Sequence, residues 1–267
     1  MLHNTAQFFI TNQCDRRCKG CFYESQLGTA HMDLQLYRNR LIEYRERFGV
    51  TKAILLGGEP TLHPLVGRFV QDAVDLGFMV TVYSNGARLN ALDGLVGPKV
   101  TVRIGVLGYE RSEKPLAKIP APKYPVSIVY MLRRDNVDEL GRTVKDAEER
   151  FDTSYFMLSS IRDIQFTGSY WKDTEDTIPN EEYQRIVVGF LGRYRGRLAI
   201  HAATRGVFPG CGHDTCRFIN VYPDGGTTLC PFDISLGIRD DPSVFGRKCG
   251  KHHECLLQKQ MYTKTAL

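Results

Sequence analysis

Short apolar runs alternate along the chain with stretches whose apolar residues recur at helical spacing. AQFFIT (residues 6–11) reads as a strand. Leu34, Tyr37, Leu41, Tyr44 and Phe48 then return every three or four positions behind Asp33, one face of a capped helix. KAILLG (52–57) is a second strand, and Leu65, Phe69, Ala73 and Leu76 mark a second helix that stops at Gly77. FMVTVYS (78–84), VTVRIGVL (100–107), VSIVYML (126–132) and SYFMLSS (154–160) follow as apolar strands. A polar-faced helix from Asn136 to Arg150 separates the last two, and another runs from Glu181 to Tyr194. Pro115, Pro120, Pro122 and Pro125 make 108–125 a loop, because proline removes a helix donor and clashes with the preceding turn. Residues 161–179, with the single tryptophan, Trp171, read as an irregular excursion.

Strands separated by helices imply parallel pairing through right-handed crossovers, so the pattern predicts an α/β fold, a curved sheet or partial barrel. Six strands fit in the first 160 residues, too few for a closed eight-stranded barrel. From about Ala203 the character changes: five of the eight cysteines fall between 211 and 255, among dense glycine and proline. Residues 1–202 are therefore read as the barrel and 203–267 as a small cysteine-rich β-hairpin/helix module. Within it, CRFINVYPDGGTTLC (216–230) sets two short apolar runs around Pro-Asp-Gly-Gly, a hairpin with a tight turn.

With 267 residues, 42% of them apolar, the chain is long enough to bury a full core. No stretch approaches the roughly 18 uninterrupted apolar residues of a membrane span, and MLHNTAQFFITNQC lacks the basic region and cleavage site of an export signal. A soluble, cytoplasmic protein with no membrane partner is expected. The 35 basic and 30 acidic side chains leave +5, spread along the chain; this favours an anionic ligand and excludes a nucleic-acid signature. In an unexported chain, cysteines at such spacings point to metal ligation over disulfides.

The densest chemistry is CDRRCKGCF (14–22), directly after the first strand: Cys14, three residues, Cys18, two residues, Cys21. A structural zinc site wants four ligands, usually as two close pairs. A redox dithiol needs only Cys18 and Cys21 and leaves Cys14 unexplained. Three thiolates on a four-iron cluster leave one iron open for a ligand. The carboxyl end of a strand is where parallel α/β folds put their chemistry.

At these residues the chain resembles the radical S-adenosylmethionine (radical SAM) enzymes, whose signature is this spacing on the loop after the first strand of a partial (β/α)6 barrel. LLGGEP (55–60), ending the second strand, is similar to the family's GGE motif, and YSNG (83–86), ending the third, to its polar strand end. The resemblance implies that Cys14, Cys18 and Cys21 hold a [4Fe-4S] cluster whose open iron takes SAM. It implies that Gly57, Gly58 and Glu59 receive the SAM amino group, glycine letting the backbone approach the ligand. Ser84 and Asn85 are then assigned to the ribose or carboxylate. LRRDN (132–136) offers Arg133 or Arg134 to the carboxylate. Two positions depart from the family pattern. Gly20 stands where many members carry an aromatic residue near the adenine, and Phe22 or Tyr23 takes that assignment. The fourth strand reads RIGVLG, with Gly105 and Leu107 where many members have serine and aspartate.

The C-terminal cysteines resemble the SPASM and twitch extensions of the same enzymes. This implies a second, auxiliary [4Fe-4S] cluster held by four of Cys211, Cys216, Cys230, Cys249 and Cys255; a structural zinc site is the alternative. The fifth thiol, Cys211 or Cys216, is a candidate hydrogen-atom donor. The implied activity is reductive cleavage of SAM to a 5'-deoxyadenosyl radical, with an electron from a flavodoxin or ferredoxin. That radical abstracts hydrogen from a natural-product sugar, cyclitol or peptide, giving epimerisation or dehydrogenation. A peptide cross-linking or maturation enzyme, a glycyl-radical activase and a non-catalytic iron-sulfur or zinc protein are the other readings. Because the cluster motif begins at Cys14, no fused leader-binding domain is expected.

Overall fold

The computed structural model describes residues 5–19, 21, 23–153, 155–160, 176, 178–202 and 218–228. Gly20, Phe22, Trp171 and the five C-terminal cysteines lie outside the described residues.

Strand β1 (Thr5–Thr11) buries Phe8 and Phe9, adjacent residues on opposite faces, because a central parallel strand is covered on both sides. Helix α1 (Leu34–Phe48) lies where the apolar stripe predicts it: Tyr37, Leu41 and Tyr44 are buried. The Asp33 carboxylate accepts the Leu36 N–H at 2.9 Å, and Gly49 closes the helix in the left-handed conformation. Strand β2 (Lys52–Gly57) leads to α2 (Val66–Asp75), whose buried stripe is Val66, Phe69, Val70 and Ala73. Leu65, expected on that stripe, precedes the helix and is 46% exposed.

The remaining predicted strands are β3 (Met79–Ser84), β4 (Val100–Val106), β5 (Ser127–Leu132) and β6 (Tyr155–Ser160). A 3-10 turn at Arg134–Glu139 opens into α3 (Leu140–Arg150), and α4 (Asn180–Arg193) follows β6. Strands β1 to β6 pair in parallel in sequence order. The pattern missed β7 (Ala199–Ala202), a four-residue strand of mixed polarity that adds to β6.

The predicted hairpin forms as β8 (Phe218–Val221) and β9 (Thr227–Thr228), turning through Gly225 at φ 83°. Strand β8 pairs in parallel with β1, so it belongs to the same sheet as the barrel strands. The sheet is open, with β7 and β9 at its edges among the described residues.

No α-helix joins β3 to β4 or β4 to β5; only 3-10 turns at Leu89–Leu92 and Leu116–Lys118 do. Gly86, Gly94, Gly97 and Pro98 interrupt the first crossover and the four prolines the second. Instead of a helix, the segment after β4 folds back over the strand ends. The Leu107 N–H donates to the Lys114 carbonyl at 3.0 Å and the Leu116 N–H to the Gly108 carbonyl at 2.9 Å.

Two glycines separate close packing from mere helix propensity. A β-carbon on Gly58 would overlap the Gln13 carbonyl, whereas one on Gly141, in α3, meets nothing within 4 Å. Gly58→Ala should destabilise the protein by about 1–3 kcal/mol or more. Gly141→Ala should stabilise it by about 0.5–1 kcal/mol. Chemical denaturation of the two variants checks the opposite signs.

Candidate active site

The ends of β1, β2 and β3 meet around one carboxylate. Glu59 is 1% exposed. Its Oε1 accepts the Thr61 N–H at 3.1 Å, the Thr61 hydroxyl at 2.6 Å and the Ser84 hydroxyl at 2.8 Å. Its Oε2 accepts the Asn85 N–H at 2.6 Å. The Ser84 hydroxyl in turn accepts the Gly86 N–H, and the Asn85 side-chain Oδ1 accepts that of Ala87. Glu59, Ser84 and Asn85, read from the sequence as ligand contacts, are therefore first of all contacts to one another.

The glycines before Glu59 bring β2 against the cysteine loop. The Gly58 N–H donates to the Thr11 carbonyl and the Glu59 N–H to that of Gln13, each at 2.8 Å. A β-carbon at Gly57, where φ is 136°, would overlap the Thr11 carbonyl oxygen. The close approach these glycines permit is thus also an approach of chain to chain. From β3, the Asn85 amide donates to Asp15 at 2.8 Å and reaches within 4.0 Å of the Cys14 sulfur.

Cys14, Cys18 and Cys21 sit on this braced loop as free thiols, and the Cys21 N–H donates to the Cys18 carbonyl at 3.1 Å. Burial raises all three thiols above their ordinary range, and Cys18 is pushed up to about 11. Cys18 is raised further by Cys21 and Cys14, and Cys21 by Cys14, while Lys114 opposes the rise at all three. Among the described residues, no three His, Cys, Asp or Glu are arranged to hold one metal ion. Three thiolates leave one iron of a four-iron cluster open, whereas a structural zinc site asks for four ligands. Three soft donors with no carboxylate or imidazole among them fit the same group.

Cations approach from the far strands. Arg133 is buried, holds Asp135 through two hydrogen bonds and keeps its Nη1 without a partner among the described residues. Arg134 turns outward to Glu182 at 3.2 Å, so of the two sequence candidates only Arg133 is inside. Tyr23 is withdrawn from any adenine: it is 1% exposed, its ring stacks on Phe9 at 4.6 Å and its hydroxyl donates to Asn12. Phe22 lies outside the described residues. Lys114, which no motif marks, brings its Nζ to within 4.0 Å of where a Gly105 β-carbon would stand.

The sequence profile of the radical SAM superfamily matches residues 8–158, more than half of the chain and the segment that carries β1 to β6. The chain belongs to the radical SAM superfamily. Radical SAM enzymes work with a [4Fe-4S] cluster and SAM. The PqqA peptide cyclase of Ruegeria pomeroyi is 27% identical over 250 residues, covering 83% of this chain and 66% of the cyclase. Streptococcus suis SuiB bound to precursor peptide SuiA superposes with a TM-score of 0.68 at 14% identity, over 96% of this chain and 64% of SuiB. Native anSMEcpe with bound AdoMet and Cp18Cys peptide gives 0.63 at 15% identity, over 94% of this chain and 81% of anSMEcpe. The chain spans just under two thirds of the length of the cyclase and of SuiB. At these identities the structural likeness speaks for the partial barrel alone. Among the described residues no helix is long and apolar enough to cross a membrane.

Glu59→Gln replaces an acceptor by a donor against existing donors and should cost about 1–3 kcal/mol, read as a lower denaturation midpoint. In iron-free protein, raising the Cys18 thiol from 9.0 to about 11 cuts its thiolate roughly a hundredfold below pH 9. The higher nucleophilicity of the more basic thiolate returns about tenfold of that. Cys18 should therefore alkylate about tenfold more slowly than an ordinary cysteine thiol, measured by mass-spectrometric mapping of iodoacetamide labelling.

Proposed function

We propose that this protein is a SAM-dependent radical enzyme that modifies a peptide, with Cys14, Cys18 and Cys21 as the three ligands of its SAM-binding [4Fe-4S] cluster. The observation that carries the reading is the braced loop, three free thiols on one segment held against the GGE segment. When bound, cluster and SAM supply a 5'-deoxyadenosyl radical that takes a hydrogen atom from the substrate. Gly57 and Gly58 keep the backbone low beside the loop. Glu59, through the acceptor capacity left on Oε2, and the strand-end carbonyls face the SAM ammonium. Arg133 offers its unpartnered Nη1 to a carboxylate. Ser84 and Asn85 hold the third strand end in register and flank the ribose; the adenine contact is assigned to Phe22.

A peptide is preferred to a sugar or cyclitol because the relative matched over most of this chain is named a peptide cyclase. Epimerisation, dehydrogenation and cross-linking all begin with hydrogen abstraction, and the same likeness favours cross-linking. For residues 203–267 the reading keeps an auxiliary [4Fe-4S] cluster on four of Cys211, Cys216, Cys230, Cys249 and Cys255, with Cys211 or Cys216 free to donate hydrogen. A flavodoxin- or ferredoxin-like protein is the electron source.

Anaerobic reconstitution should give about eight irons and eight sulfides per chain, for two four-iron clusters. Cys14→Ala, Cys18→Ala and Cys21→Ala should each remove about half of them. Reduced protein with SAM should release 5'-deoxyadenosine. A chain that takes up no iron and sulfide, or that fails to bind SAM once loaded, ends this reading; about four irons in the wild type ends its auxiliary-cluster part. Loss of iron in both Cys211→Ala and Cys216→Ala removes the spare thiol.

A further inference from the structure

The segment after β4 does something the strand itself does not. RIGVLG leaves a bare backbone at Gly105, and the chain returns over that spot nine residues later with the Lys114 ammonium. The return is held by Leu107 N–H to the Lys114 carbonyl, by the Ser112 hydroxyl accepting the Lys114 N–H at 3.1 Å, and by Leu116 N–H to Gly108. Its base is anchored by Glu139, a buried carboxylate that accepts the Tyr109 and Glu110 N–H groups and the Arg111 Nε. Next to Lys114, Glu113 accepts the N–H of Lys19, the residue that follows Cys18. The loop therefore touches the cysteine segment while it presents a charge toward the barrel interior.

Lys114 is half-buried, and among the described residues its ammonium makes no hydrogen bond or ion pair. Its Nζ stands 4.0 Å from where a Gly105 β-carbon would be, its neighbour Glu113 is hydrogen-bonded to the cysteine segment, and its positive charge acts on Cys14, Cys18 and Cys21 against the rise that burial causes. Arg133 already has the carboxylate of Asp135. An ammonium without an ion pair among the described residues awaits negative charge, and three thiolates carrying a cluster supply it on the segment that its own loop touches.

We propose that Lys114 is the counter-charge of the cluster held by Cys14, Cys18 and Cys21, a positioning residue that stabilises the electron the cluster takes up. The proposal rests on the cluster assignment above. One electron passes from an external low-potential donor to the cluster; no bond forms or breaks, no proton moves, and the net charge beside Lys114 becomes more negative by one.

The test is an anaerobic potentiometric titration of reconstituted protein with dithionite, followed by electron paramagnetic resonance. Iron content and circular dichroism first establish that each variant is loaded and folded. Lys114→Met should lower the ratio of reduced to oxidised SAM-binding cluster about tenfold at a fixed potential, a shift of about 59 mV for a one-electron couple. Lys114→Gln should do the same, which keeps the test available if either uncharged variant folds poorly, and Lys114→Arg should restore most of the ratio. An unchanged ratio in folded, loaded Lys114→Met or Lys114→Gln overturns the proposal. An unchanged ratio with SAM affinity reduced tenfold also overturns it and moves Lys114 to the SAM carboxylate. A wild-type chain that takes up no cluster overturns the reading beneath it, so the two failures are distinguishable.

Discussion

A single buried carboxylate holds the business end of this barrel together. Glu59 accepts hydrogen bonds from Thr61, Ser84 and the Asn85 backbone, and Asn85 passes the connection on to Asp15 beside Cys14. The ends of two strands and the cysteine loop are thereby tied through one side chain that is 1% exposed. In such a setting each bond is strengthened by the low local dielectric, and each would leave a costly orphan if its partner were lost.

The same device appears once more. Glu139 ties the loop after β4 to the turn before α3, as Glu59 ties β2 to β3. Because β4 and β5 are joined without an α-helix, the connecting segment fills that place in the core with Leu116, Ile119 and Tyr124, and its Glu139-anchored start delivers Lys114. Two carboxylates thus set the positions of three cysteines and one lysine. Glycine supplies the complementary negative space: Gly57 and Gly58 admit the backbone at the end of β1.

Strands buried on both faces announce themselves as apolar runs, so β1 to β6 were legible, as was the stripe of α1 with its Asp33 cap. The hairpin turn was legible because Gly225 needs a positive φ that its sequence neighbours permit. Strand β7 was not, since AIHA gains its strand geometry only by pairing with β6. Leu65 misled for a related reason: spacing alone does not say on which residue the helix begins. In the site, the cysteines and GGE stood out by spacing, whereas Tyr23 could not be separated from Phe22 until its ring was found stacked on Phe9.

The sequence by itself determined the class of fold, the order of the strands and the three thiols with the GGE segment that follows them. These are local or periodic properties, written within a turn or a strand of one another. Only the tertiary structure decided that Glu59 is a structural knot, that Arg133 faces inward while Arg134 pairs with Glu182, and that Lys114 occupies the space over Gly105. Those facts depend on contacts between residues tens of positions apart, and no spacing in a single strand or loop encodes which of two adjacent side chains the packed sheet will turn inward.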